Sequence, residues 1–113
     1  MTREKLLFIG TFNVSRSRTA EDMFENSVTY EVRSAGVKSH GLTKQQELTN
    51  WADRIFVMSD EHLALLRDKV NFDLWGKPVV VLGIPAIPEY HRGSQALINV
   101  LKLKLAIHGI MVV

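Results

Sequence analysis

Four short apolar runs, separated by stretches of helical period, constrain the chain most: strands and helices must alternate along it. The first run is Leu6-Leu7-Phe8-Ile9, bounded by charge and by Gly10, and its length fits a buried strand. Residues Ser17 to Asn26 then read as a helix, with Ala20, Met23 and Phe24 on one face and Glu21, Asp22 and Glu25 off it. A second strand runs from Tyr30 to Ser34 and closes on Ala35-Gly36. Thr43 with Gln46 has capping-box spacing, which predicts a helix burying Leu48, Trp51 and Ala52. Arg54 to Met58 is a third strand. Ser59 is placed to cap the helix that follows, with Asp60 and Glu61 in its first turn, where the helix dipole favours them. Met58 and Leu63 occupy the two positions of a hydrophobic staple, and Leu63, Leu66 and Val70 form the inner face. A turn at Trp75-Gly76-Lys77-Pro78 leads into Val79 to Leu82, the fourth and most apolar strand. After a proline-containing loop, Gly83 to Arg92, a last helix runs from Ser94 to His108. It buries Leu97, Leu101 and Leu105 and uses Gly109 as its C-cap.

This alternation implies an α/β fold with a parallel sheet covered by helices on both faces. The 113 residues carry no repeat, linker or low-complexity tract, so residues 1–113 are read as a single domain. Ligands in such sheets bind at the carboxyl ends of the strands, near a topological switch point. The loops of interest are therefore Gly10–Ser17, Ser34–Ser39, Met58–Asp60 and Gly83–Arg92.

Composition removes several function classes. The chain has no cysteine, which excludes disulfides, thiolate chemistry and cysteine-ligated metals. Its net charge of +2 is too small to argue for nucleic-acid or membrane binding by bulk electrostatics. No stretch approaches the ~20 apolar residues of a membrane span. The opening apolar run is too short for a signal peptide, so a cytoplasmic location is expected.

The loop after the first strand carries the chemistry. Gly10-Thr11-Phe12-Asn13-Val14-Ser15-Arg16-Ser17 can curl so that successive backbone N–H groups converge, with the helix N-terminus adding positive charge. Arg16 supplies a planar fork of donors for two oxygens of a tetrahedral anion. Asn13 and Ser17 are short polar residues able to hold the loop through its own backbone. These properties suit a phosphate-sized anion. Taken alone, the segment fits a solvated strand-to-helix loop with a surface arginine equally well.

With its flanks, the stretch Leu6 to Glu21 closely resembles the N-terminus of low-molecular-weight protein tyrosine phosphatases, which show an apolar strand, C-x5-R-S, a small residue and then A-E. Val32-Arg33-Ser34-Ala35-Gly36 resembles that family's S-A-G strand end, and Trp51 to Met58 its W-A-D-x-I-x-V-M strand. Ile87-Pro88-Glu89-Tyr90 is similar to the I-P-D-E-Y segment of short bacterial members. The likeness spans nearly the whole chain. It implies a three-layer αβα sandwich with a four-stranded parallel sheet in the order 2-1-3-4, which right-handed crossovers also favour.

The departures from the family bear on activity. The family's nucleophilic cysteine falls on Gly10, six residues before Arg16, and glycine has no side chain to attack with. A second family cysteine is replaced by Ser15, at the wrong place to attack. The resemblance also implies an aspartate general acid in the loop after the fourth strand. Aligned from Leu82 its positions fall on Gly83 and Ala86; aligned from Tyr90 the nearest carboxylate is Glu89. The binding half remains, namely Asn13, Arg16, Ser17 and Ser34, with Ser34 implied to support the loop by bonding Asn13.

Three readings follow. The first is a catalytically deficient phosphatase-like module that holds phosphate, or a phosphotyrosine-containing protein, in residues 10–17. The second is a weak or altered phosphatase using water and a base or acid such as His91 or Glu89. The third is an interaction scaffold that binds no anion. Tyr90 and Phe12 could wall a slot for a flat ring, or simply pack against the loop. His40, His62 and His108 have no metal-site spacing, and no cofactor or metal is expected.

Overall fold

The computed structural model describes residues 3–38, 41–69 and 77–112. Its elements alternate throughout: β1 (Glu4–Gly10), α1 (Arg16–Met23), β2 (Tyr30–Gly36), α2 (Leu42–Trp51), β3 (Arg54–Val57), α3 (Asp60–Lys69), β4 (Val79–Val81) and α4 (Gln95–Ile107). A single 3₁₀ turn, Pro88–Tyr90, interrupts the loop before α4. The four strands form one sheet in the order β2-β1-β3-β4. Every pairing is parallel, with Leu6 opposite Val32 and Arg54, and Ile55 opposite Val79.

Side-chain alternation along β1 sorts the core into two layers. Leu6 and Phe8 join Phe56 and Met58 on one face, under Ala20 and Phe24 and under Leu97, Leu101 and Leu105 of α4. Leu7 and Ile9 join Ile55 and Val57 on the other, under Leu48 and Ala52 beside α2 and Leu66 of α3. Helices α1 and α4 therefore cover one face and α2 and α3 the other, giving the three-layer sandwich expected from the sequence. Phe8 stacks on Phe56 at 5.2 Å and on Phe24 at 6.1 Å between ring centres. Such pairs add about 0.5–1.5 kcal/mol each beyond their buried area.

Several local expectations change. Helix α1 ends at Met23, not Asn26. The amides of Phe24 and Glu25 bond back to Glu21 and Asp22, tightening the last turn. Ser27 then accepts from the amides of Thr29 and Tyr30 and turns the chain into β2. The Thr43–Gln46 capping box does not form. The extended N-cap residue is Gly41, so Thr43 already lies inside α2, and Gln46 bonds Asn50 at 3.1 Å. The Met58–Leu63 staple is also absent, because Met58 faces the α1/α4 layer while Leu63 packs in the α2/α3 layer. Val79, Val80 and Val81 are only half-buried, because this apolar strand lies at the sheet edge. Val70 and the Trp75-Gly76 part of the expected turn lie outside the described residues, as do Ser39 and His40.

Helix α4 forms as expected. Ser94 Oγ accepts from the Leu97 amide at 3.2 Å and donates to the Glu89 carbonyl at 2.9 Å. At the other end Gly109 takes φ 78°, while its amide bonds Ala106 and that of Ile110 bonds Leu105. This paired closure needs a left-handed residue at that position, which glycine adopts without strain.

Candidate functional site

β1 is central, and the chain leaves it through α1 to β2 on one side before returning to β3 on the other. Its carboxyl end is thus the switch point of the sheet. The ladder holds the start of the loop there. The Gly10 carbonyl accepts from Val37 at 3.0 Å, the Thr11 carbonyl from Lys38 at 2.8 Å, and the Ile9 carbonyl from Met58 at 3.2 Å.

From Gly10 the backbone curls into α1. Asn13 has φ 58°, the only positive value at a non-glycine among the described residues. Asparagine tolerates this conformation better than most side chains. Its Oδ1 accepts from Ser17 Oγ at 2.7 Å, which ties the bend to the first turn of the helix. Arg16 is the first residue of α1, and its Nη1 donates to the Ile84 carbonyl at 2.7 Å. That bond leaves four guanidinium N–H donors for other partners. Burial lowers the pKa of Arg16 and nearby Glu61 opposes the shift; an arginine remains cationic regardless.

Residues 10–17 line a cleft of about 500 Å³, closed on the far side by Ala86, Ile87, Pro88 and Tyr90. All eight loop residues expected from the sequence are therefore brought together. The far wall is tied to α1 as well. Arg92 grips Asp22 with two bonds of 3.0 and 3.2 Å, and the Gly93 amide bonds Thr19 Oγ1 at 3.0 Å. Phe12 and Val14 are exposed at the rim, while Tyr90 also packs against the core. Phe12 and Tyr90 both line the cleft, as a flat-ring slot requires.

Three expected residues sit elsewhere. Ser34 Oγ donates to Glu21 Oε1 at 3.0 Å, not to Asn13, whose Oδ1 accepts from Ser17. Glu89 and His91 are solvent-exposed and absent from the lining. They lie on the 3₁₀ turn and just past it, whereas Pro88 and Tyr90 meet the cleft. Among the described residues, the lining holds no carboxylate, imidazole or thiol, and its ionisable side chains are Arg16 and Tyr90. Among the described residues, no group of three or more His, Cys, Asp or Glu could hold a metal ion.

One residue was missed. His62, on the first turn of α3, is buried beneath the loop. Its Nε2 lies 2.7 Å from Thr11 Oγ1 and its Nδ1 3.3 Å from Ser59 Oγ. Burial pushes its pKa below the usual 6.5. Arg16 and Lys38 push the same way, and Glu61 opposes them. The signal available in the sequence was Ser59-x-x-His62, which puts the ring one turn beyond β3, at the same edge of the sheet as the loop.

No family model matches the sequence, and no curated protein matches it. Solved structures do. A low molecular weight phosphotyrosine phosphatase from Vibrio cholerae O395 superposes with a TM-score of 0.65 at 20% identity, over 94% of this chain and 96% of its own. The Wzb protein of Vibrio vulnificus, solved in complex with benzylphosphonate, gives 0.63 at 19% identity over 91% and 92%. An arginine phosphatase from Geobacillus stearothermophilus gives 0.63 at 21% identity over 93% and 94%. The chain therefore has the fold of low molecular weight phosphotyrosine phosphatases.

Proposed function

We propose that this chain is a member of the low-molecular-weight protein tyrosine phosphatase family that binds phosphate, or a phosphotyrosine-bearing protein, without hydrolysing it, and that it does so in the cytosol. One observation supports this reading above the others. Among the described residues, the cleft is lined by residues 10–17 with the cation of Arg16 and holds no thiol and no carboxylate, so neither the family's nucleophile nor its general acid has a counterpart in it. Phosphoryl transfer through an enzyme-linked intermediate needs an activated nucleophile, and Gly10 offers none. A tetrahedral dianion in residues 10–17 would meet the loop amides, the N-terminus of α1 and the free donors of Arg16. An aryl group on that anion would lie between Phe12 and Tyr90. Of the side chains named for the weak-enzyme reading, His91 and Glu89 lie off the cleft.

Water competes for each donor, so affinity for inorganic phosphate is expected to be on the order of 0.1–10 mM. Titration of phosphate and benzylphosphonate followed by amide NMR tests the reading. Shifts should concentrate on residues 10–17, and Arg16→Ala should weaken binding at least tenfold. Arg92→Ala should weaken it less, because Arg92 is held by Asp22 outside the cleft. No binding at tens of millimolar, or binding indifferent to Arg16→Ala, would favour the scaffold reading instead.

A further inference from the structure

His62 is outside the cleft lining, yet it is fully enclosed and both ring nitrogens meet hydroxyl groups. That pairing has a specific property. A neutral imidazole needs one donor and one acceptor, whereas an imidazolium needs two acceptors. Thr11 Oγ1 and Ser59 Oγ can each turn to do either, so the same cage holds both protonation states with no loss of hydrogen bonds. What opposes the added proton is burial and local charge. The groups acting on the ring are Arg16 from α1, Lys38 from the segment after β2, and Glu61 from its own helix. Arg16 is also the cation that faces the cleft. An anion seated against Arg16 cancels the larger of the two positive influences on His62, without touching the ring.

We propose that His62 is a positioning residue that anchors Thr11 beneath the cradle and takes up a proton when an anion binds, so that the site holds anions more tightly as pH falls. This rests on the anion-binding reading above and adds its regulation. Linkage makes the effect reciprocal: a ligand that favours protonated His62 binds better wherever His62 is protonated. Glu61 tempers the effect, since its carboxylate already favours the imidazolium.

Sulfate is the right probe, because its charge does not change between pH 5.5 and 8, as phosphate's does. Sulfate is titrated across that range by amide NMR, while the His62 ring shifts are followed with and without it. Affinity should rise about threefold to tenfold from pH 8 to pH 5.5, and bound sulfate should raise the His62 pKa by a matching amount. His62→Gln should flatten the pH profile. Thr11→Val removes the hydroxyl at nearly constant shape, so it should weaken sulfate binding while leaving a pH dependence in place. The wild-type ring titration needs no variant and holds even if His62→Gln fails to fold. Sulfate binding that is independent of pH, with an unmoved His62 titration, overturns this inference and leaves the anion site standing. Failure of sulfate to bind at any pH overturns both.

Discussion

Adding a methyl group at Gly10 tests whether the loop is a rigid assembly. Gly10 lies in β1 outside the left-handed region, so alanine is conformationally allowed there. Restricting the unfolded chain in this way ordinarily stabilises by about 0.4–1 kcal/mol. The new Cβ would stand 3.0 Å from Ser17 Oγ and 3.5 Å from Ser17 Cβ. The second contact is ordinary; the first requires the hydroxyl to yield. Ser17 is enclosed, and its Oγ is committed to Asn13 at 2.7 Å, so yielding stretches or breaks that bond. A hydrogen bond of this kind is worth about 0.5–1.5 kcal/mol. The two effects nearly cancel, and Gly10→Ala alone should lie between neutral and about 1 kcal/mol destabilising. In a Ser17→Ala background the crowding atom is gone, and Gly10→Ala should stabilise by about 0.4–1 kcal/mol. The double-mutant coupling is then about 1 kcal/mol. Urea unfolding of the four proteins with a common m-value measures it. Equal effects of Gly10→Ala in both backgrounds would refute the claim that the Ser17–Asn13 bond braces the loop against position 10.

Purified protein should show negligible turnover of nitrophenyl phosphate, and Gly10→Cys should raise it only in part, since Gly83 and Ala86 offer no acid; wild-type turnover within about tenfold of roughly 10 per second contradicts this. His62 has a folded pKa below its unfolded 6.5, so its stabilising contribution is complete above 6.5 and declines as pH falls through the folded value. Thermal unfolding in the absence of anions should therefore show stability lost below pH 6.5, with a shallower loss in His62→Gln. Ser94→Ala should destabilise by about 1 kcal/mol in urea unfolding, because it removes the side-chain acceptor for the Leu97 amide.

Much of the fold was legible because its signals are local. Leu6–Ile9 and Arg54–Val57 announce themselves by composition, and α4 carries its own stops in Ser94 and Gly109. The capping box failed for an equally local reason. Thr43 and Gln46 have the right spacing, but the cap belongs to the last extended residue before the helix, and Gly41 with ψ 164° is that residue. The staple failed because Met58 and Leu63 pack on opposite faces of the sheet, which no spacing rule records. At the site, residues 10–17 were readable because they are contiguous. Arg16 on the Ile84 carbonyl joins positions 68 residues apart, and Thr11 on His62 joins positions 51 apart. Such contacts follow from where the sheet places loop ends, and sequence pattern does not encode them. The resemblance implies Ser34 as a brace for Asn13, but its hydroxyl donates instead to Glu21, one turn into α1.

The central place of β1 bears on which parts of the protein open first. Amide exchange and proteolysis proceed through partial openings that spare the most enclosed strands. β1 is paired on both sides, and its residues Leu6 to Ile9 are buried in both layers of the core. Edge strand β4, with three half-buried residues, can detach at far smaller cost. The loop over residues 10–17 begins where β1 ends and is tied there to the residues that follow β2 and β3. Its slowest-exchanging amides should therefore be those of the loop's root, with protection approaching that of global unfolding. Fluctuations that release β4 would leave the root of the loop assembled, and the bonds of Arg92 to Asp22 and of Gly93 to Thr19 would keep the segment after β4 on α1.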